Sequence, residues 1–218
     1  MNQRLVYRNA FRSMVKAGVN PGQAILSQSY LRLERQISTT TTSYQFGVLV
    51  NDQPAGQGAV RPTEQRLNLQ DSFFVSSVQI FTTTTASAST TNFSLDSYPN
   101  PRKYSSTTSA TDLYNLYNGY LSLTVNNRVI TPSWDIQKHL SIPQTQQTAT
   151  PVASTVALDQ FEGSMSGAFP VEPNWVLIGS KNNNLTLNLP AAISAVTNTE
   201  FIVILLRGVL AQNSTIVS

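Results

Sequence analysis

From residue 43 onward, the apolar residues come in short runs separated by Gly, Pro, Asn, Thr and Ser. Several runs alternate between apolar and polar residues, which is the period of a β-strand with one buried face. The runs are not interleaved with amphipathic helices, so the βαβ units of a parallel sheet are not indicated. We therefore predict a mainly β fold, an antiparallel β-sandwich or single jelly roll of about 8–10 strands.

The predicted strands differ in how regular their alternation is. The imperfect alternation after Phe73 indicates a bulge or burial on both faces, and Gly208 indicates a bulge or close packing. Asn126 and Asn127 predict a hairpin turn. The strands are predicted at residues 43–50, 65–69, 73–84, 92–95, 120–125, 128–130, 156–161, 175–178, 185–189 and 201–210.

The first 17 residues have the pattern of an amphipathic helix that stops at Gly18. Its basic residues recur every four positions and form one slowly rotating stripe, because successive residues are about 100° apart. They are Arg4, Arg8, Arg12 and Lys16. The apolar side chains predicted on the opposite side are Val6, Tyr7, Ala10, Phe11, Met14 and Ala17.

A second helix is predicted over residues 21–37, with Asn20 as its N-cap and Pro21 as its first residue. One apolar face with the spacing i, i+4, i+7, i+11 would pack it against the β body or a neighbouring subunit. These packing residues are Leu26, Tyr30, Leu33 and Ile37. The chain is thus divided into a helical N-terminal arm, residues 1–38, and a β body, residues 39–218.

The positive charge belongs to the arm. The net charge is +3, but residues 1–37 contain six basic residues and one acid, Glu34, whereas the remainder contains eight basic residues and ten acids. A localised basic segment is typical of proteins that contact phosphate, anionic lipid or an acidic partner. A basic face that is simply solvated is the alternative.

The composition excludes several kinds of chemistry. The chain has no cysteine, so it has no disulfide, thiolate nucleophile or Cys-ligated metal, and it has one histidine, His139. No leader-like apolar run follows the N-terminal charges, and the longest apolar run, residues 201–206, is far shorter than a membrane span. Only 11% of residues are charged, which favours a protein that buries its surface against other subunits or works outside cells.

A catalytic site is hard to assemble from these residues. The run 163–167 has Met165 rather than serine at its centre, so it is not a nucleophile elbow. Asp159 and Glu162 are the closest acid pair near apolar residues and would be the acid and base of a glycan-active enzyme. We expect no enzyme activity, no cofactor and no small-molecule substrate.

Glycan binding is a second possibility, because aromatic residues accompany the Asn-, Thr- and Ser-rich loops. Aromatic side chains at strand ends more often belong to a core or an interface. Under this hypothesis the chain is a receptor- or glycan-binding β module of a fibre or adhesin. The aromatic residues in question are Tyr98, Tyr104, Tyr114, Tyr117 and Tyr120.

The whole chain resembles viral coat proteins of the jelly-roll kind, in particular those of bacteriophages. The likeness rests on the stripe from Arg4 to Lys16 and on the strands at residues 73–84, 120–130 and 201–210. It implies a structural protein made in the host cytoplasm and located in the virion, which assembles with copies of itself and with other virion proteins. It also implies that residues 1–17 contact neighbouring subunits or the anionic interior, either genome or membrane.

Overall fold

Strand β8, Glu200–Gln212, contains the longest apolar run of the chain and lies inside a four-stranded sheet. The computed structural model describes residues 3–48, 67–84, 95–99, 112–142, 167–194 and 200–214. In it, β8 pairs with β1, Ile25–Gln36, on one side and with β3, Ser72–Thr84, on the other. Strand β6, Phe169–Ile178, pairs with β3 and completes this sheet, sheet A, in the order β1-β8-β3-β6.

Sheet B consists of the four shorter strands. They are β2, Ser43–Gly47; β4, Tyr120–Val125; β5, Arg128–Asp135; and β7, Asn183–Asn188. Their order in the sheet is β2-β7-β4-β5, and every pairing in both sheets is antiparallel.

The order of the strands identifies the topology. Strand β1 pairs with β8, β2 with β7, β3 with β6 and β4 with β5. The described strands therefore form one long antiparallel hairpin that is rolled up into two facing sheets, which is a jelly roll. This confirms the prediction of a mainly β, single jelly-roll sandwich.

The main core lies between the two sheets. Leu31, Ile204 and Val78 of sheet A face Leu187 and Leu121 of sheet B, and all are buried. Short strands that alternate between buried and partly exposed residues, such as β7, leave one face of sheet B in water.

Two tryptophans join the two sheets at the edge of the sandwich that is formed by β6 and β5. Trp175 of β6 and Trp134 of β5 meet edge to face with their ring centroids 5.6 Å apart. Trp175 also donates from Nε1 to Oγ1 of Thr131 at 2.8 Å. These contacts tie β6 to β5, so the edges of both sheets are held together here.

A β-bulge in β3 explains its imperfect alternation. Phe73 and Val75 point into the core, the register shifts between Val75 and Ser77, and Val78 then points into the core. Gly208 lies opposite this bulge, where a Cβ atom would be 1.7 Å from the carbonyl oxygen of Phe74. Both predictions, the bulge and the close packing at Gly208, are confirmed.

The described helices are few and short. Helix α1 is Gln3–Lys16 and helix α2 is Tyr114–Tyr117. Single 3-10 turns occur at Pro21–Gln23 and Gln137–His139. The predicted hairpin at Asn126 and Asn127 is confirmed, since both residues have positive φ between β4 and β5. Strand β5 continues past the predicted end at residue 130.

The predicted second helix over residues 21–37 is wrong. Asn20 does cap Pro21–Gln23, accepting from the Gly22 amide at 3.1 Å, but only one 3-10 turn follows. Residues 25–36 instead form β1 and pair along their whole length with β8. The hydrogen bonds and apolar contacts offered by β8 outweigh the weak helical preference of this segment.

Several predicted strands are tested only in part. The predicted strand at residues 156–161 lies outside the described residues, as does most of 92–95. Of residues 65–69, the described part begins at Leu67 and runs into a turn.

Gly208 provides a test of the sheet packing. We expect Gly208→Ala to lower the free energy of unfolding by about 2–4 kcal/mol, because the added methyl group meets the backbone of β3. The matched control is Gly22→Ala. At this exposed position a Cβ atom approaches only the side-chain oxygen of Asn20, at 3.2 Å, so a loss below about 1 kcal/mol is expected. Urea unfolding of both variants checks this, and equal losses would contradict it.

Candidate functional site

Helix α1 lies on the outer face of sheet A. Ala10 and Met14 are fully buried there, packed in one cluster with Phe74 of β3, Val209 of β8 and Ile178 of β6. Val6, Tyr7 and Ala17 are partly buried against the same cluster. The predicted apolar side of the helix is thus confirmed, except for Phe11.

The end of α1 is fixed by a Schellman motif. Gly18 has a φ of +82°, its amide donates to the carbonyl of Val15 at 3.0 Å, and the Val19 amide donates to the carbonyl of Met14 at 3.0 Å. Val19 then packs beside Met14 in the buried cluster. The predicted stop at Gly18 is confirmed, and the motif sets the angle at which the chain leaves the helix.

Hydrogen bonds from the two residues after β8 hold the segment that follows α1, and we call this group of bonds the latch. The Asn20 amide donates to the carbonyl of Ser214 at 3.2 Å, and the hydroxyls of Ser214 and Ser72 are 2.7 Å apart. The Asn213 amide donates to Oδ1 of Asp71 at 2.9 Å. Because this latch and the buried face both anchor α1, its outward side chains hold a fixed position on the sandwich.

The four predicted cations lie on the outward side of α1. Arg4, Arg8, Arg12 and Lys16 are all exposed. None of them has an ion-pair partner within the part of the chain that the structure describes, and α1 itself contains no acid. The predicted basic stripe is therefore brought together on one solvent-facing surface.

Three exposed apolar side chains, which the sequence interpretation did not place there, lie among these cations. Leu5 is 51% exposed, Val15 52% and Phe11 42%. Each lies seven residues from a cation, which on a helix is a separation of only about 20°. The pairs are Arg4 with Phe11, Leu5 with Arg12, and Arg8 with Val15. We call this mixed surface of four cations and three apolar side chains the outward face of α1.

The other two arginines of the predicted arm contact groups within the sandwich. Arg32 forms an ion pair with Glu34, which is buried, on the outer face of β1. Arg35 donates from Nε to the carbonyl of Gln45 in β2 at 2.6 Å and lies over the ring of Phe46. Of the six basic residues in the predicted arm, the four of α1 are thus the ones that remain exposed without such partners among the described residues.

The residues predicted to pack a second helix lie on two different faces of β1. Leu26 joins the cluster beneath α1, and Tyr30 is on the same outer face but exposed. Leu33 and the following Ile37 are buried in the main core between the sheets. The structure does not bring these four side chains together, because a strand sends alternate residues to opposite faces.

The outer face of sheet B has a different character. Across β2, β7 and β4 it carries hydroxyl and amide side chains and no carboxylate, ammonium or guanidinium group. Some of these side chains bond to one another, as Ser43 does when its hydroxyl donates to Asn188 Oδ1 at 3.0 Å. The sandwich therefore presents a basic helix on one side and three neutral, polar strands on the other, and the charged side chains of sheet B, Arg128 and Asp135, lie on its edge strand β5.

His139 is a structural residue. It is fully buried, its Nε2 accepts from Trp134 Nε1 at 2.9 Å, and its Nδ1 lies 2.8 Å from the carbonyl of Gly167, to which it donates as the neutral tautomer. Phe169 meets the imidazole ring edge to face, and Lys138 lies over the Trp134 ring. Burial lowers the pKa of His139 to about 4, so the ring stays neutral.

Side chains that could bind a metal ion are not clustered in the described residues. These residues contain no group of three or more His, Asp or Glu side chains placed to hold a metal ion. The acid pair Asp159 and Glu162 and the aromatic Tyr104 lie outside the described residues. Among the helices that are described, none has the length and apolarity needed to cross a bilayer.

Comparisons of the chain with protein-family models, with curated proteins and with solved structures gave no match.

Two neighbouring residues of α1 test how the helix is held. We expect Met14→Ser to weaken the docking of α1 by about 2–4 kcal/mol, because a fully buried side chain is lost from the cluster on sheet A. Val15→Ser removes an exposed side chain and is the matched control, with an expected change within about 0.5 kcal/mol. Hydrogen exchange of the α1 amides measures both, and similar protection in the two variants would argue against a docked helix.

The buried imidazole predicts a pH dependence of stability. The pKa of His139 is about 4 in the folded state and 6.5 when the chain is unfolded. The unfolded chain binds a proton at His139 more readily than the folded protein does. The neutral, buried imidazole therefore makes its full contribution to the free energy of unfolding above about pH 6.5, and this contribution is lost as the pH falls towards 4. The loss amounts to about 3 kcal/mol.

Urea unfolding between pH 4 and 7.5 checks this, with His139→Gln as the control. All other side chains are common to the two proteins, so the difference between the two pH profiles isolates the histidine. The stability of the wild type should fall more steeply than that of the variant, and parallel profiles would contradict the assignment.

Proposed function

We propose that this protein is a structural subunit of a viral capsid, from a bacteriophage, and that it self-assembles into the virion shell. The observation that carries the proposal is the pairing of a complete single jelly roll with an ordered basic helix on one sheet. Jelly rolls also occur in lectins and other proteins. The fold alone therefore does not decide the function, and the proposal depends on the difference in charge between the α1 side of sheet A and the outer face of sheet B.

A shell subunit needs two chemically different surfaces. The outward face of α1 concentrates four exposed cations on sheet A, whereas β2, β7 and β4 present no charged side chain on the outer face of sheet B. We assign the α1 side to the anionic interior, genome or membrane, or to neighbouring subunits. The neutral side would then face outward or towards other virion proteins.

Assembly also requires surface that neighbouring subunits cover. Two adjacent apolar residues after the Asn126–Asn127 turn are exposed, Val129 to 57% and Ile130 to 41%. They lie on β5, an edge strand of sheet B. An exposed apolar pair on a sheet edge is a natural contact between copies of the chain.

The assembly hypothesis predicts particles. We expect the purified protein, alone or with its virion partners, to form uniform particles visible by electron microscopy and light scattering. The double variant Val129→Ser with Ile130→Ser should need a severalfold higher concentration to assemble while melting at the wild-type temperature. Ser133→Ala, on the same strand, should assemble normally. A monomer at every salt concentration, even with virion partners, would refute the proposal.

A receptor- or glycan-binding module is the second candidate. The observation that favours it is Tyr120, 45% exposed, at the end of the neutral face of sheet B and paired with Asn188. An exposed aromatic ring beside amide groups can stack on a sugar while the amides bond its hydroxyls. Binding on a sugar array that Tyr120→Ala abolishes, and that survives removal of residues 1–17, would favour this candidate over a shell subunit.

A further inference from the structure

We propose that the outward face of α1 binds the surface of an anionic lipid bilayer. This inference deepens the proposed function, because it chooses one partner for the side of the subunit that carries the charge. It rests on the combination of exposed cations with exposed apolar side chains on one anchored helix.

Charge complementarity restricts the partner to an anionic one. Arg4, Arg8, Arg12 and Lys16 are exposed on a helix without acids, and no described residue pairs with them. Cations held close to an anionic bilayer strengthen binding roughly fivefold each. Four of them therefore supply substantial attraction without any further group.

The apolar side chains distinguish lipid from nucleic acid. Leu5 and Val15 are each more than half exposed and lie within about 20° of Arg12 and Arg8 around the helix. A phosphate backbone would neutralise the arginines but leave both aliphatic side chains in water. A bilayer covers both kinds of group, since the headgroups meet the cations and the upper acyl region receives the aliphatic side chains.

Single-stranded nucleic acid would need stacking surfaces as well as cations. Phe11, 42% exposed, is the one aromatic residue among the outward side chains. Tyr7 is partly buried against the cluster on sheet A, so its ring is not free to stack on a base. The face thus offers more aliphatic surface than stacking surface, which favours the bilayer.

The anchoring of α1 shapes how it would bind. Its buried side remains on sheet A through Ala10 and Met14, so the helix lies flat on the bilayer and does not insert deeply. Each copy then binds weakly and reversibly. An array of copies in a shell would multiply these weak contacts across the bilayer.

The absence of cysteine allows a direct test. Val15→Cys, labelled with an environment-sensitive fluorophore, should shift to shorter wavelength on mixing with vesicles of phosphatidylglycerol and phosphatidylcholine. It should not shift with vesicles of phosphatidylcholine alone. Ile142→Cys is the matched control, because Ile142 is similarly exposed, 56% against 52%, but lies after the 3-10 turn Gln137–His139.

Cosedimentation with the same vesicles separates the two components of the face. Arg8→Gln with Arg12→Gln should reduce partitioning about 20-fold or more. Leu5→Ser with Val15→Ser should reduce it about 10-fold, while binding of a single-stranded DNA oligonucleotide should be unchanged. Arg128→Gln, an exposed arginine on β5, is the charge control. Circular dichroism and melting confirm that each variant is folded.

Each outcome decides the inference. Equal partitioning to anionic and neutral vesicles overturns it. So does tighter binding to the oligonucleotide combined with vesicle binding that ignores Leu5 and Val15, since the face would then serve nucleic acid. Vesicle binding requires no assembly, so a protein that binds vesicles yet never forms particles would refute the capsid proposal and leave this inference standing.

Discussion

The structure depends on the burial of β8 on both of its faces. Ile202, Ile204 and Leu206 enter the core between the sheets, whereas Val203 and Val209 point to the outer face of sheet A. A strand inside an antiparallel sandwich usually leaves its outer face to water. Because β8 is apolar there too, sheet A needs a cover, and α1 provides it at one end. The position of the basic surface is therefore a consequence of the composition of β8.

Much of the fold could be predicted because strand periodicity and turn residues are local signals. The bounds of β4, the hairpin at Asn126, the bulge in β3 and the close approach at Gly208 all follow from such signals. The stop at Gly18 also follows, because an unhindered left-handed residue ends a helix. In each case, residues that are close together in the sequence determine the local backbone conformation.

The identity of β1 could not be predicted from helical spacing, because the competing interaction is with a strand more than 160 residues later in the chain. Leu26, Tyr30, Leu33 and Ile37 fit a helical stripe, yet the shorter alternation of Leu31, Arg32, Leu33 and Glu34 fits a strand. The pairing with β8 decides between them. The alternation was the available signal, and the ion pair of Arg32 with Glu34 lies on the polar side of that strand.

The candidate site was predicted in part. The stripe from Arg4 to Lys16 lies where a helical wheel places it, because the spacing of residues within one helix determines which of them share a face. The sequence pattern predicts Phe11 on the buried side, yet it is only about 20° from Arg4 and points outward with it. Which side of α1 docks depends on sheet A, so the apolar members of the outward face became apparent only once the helix was placed on the sandwich.

A polar band on the outer face of sheet A explains why α1 covers one end of it. Arg207 donates from Nε to Gln79 Oε1 at 2.7 Å between two apolar clusters, one beneath α1 and one containing Phe81 and Val203. Sliding α1 along the sheet would place Ala10 and Met14 over Arg207, which is still partly exposed, and would expose apolar surface behind the helix. The band therefore fixes the docking position, and with it the direction in which the four cations point.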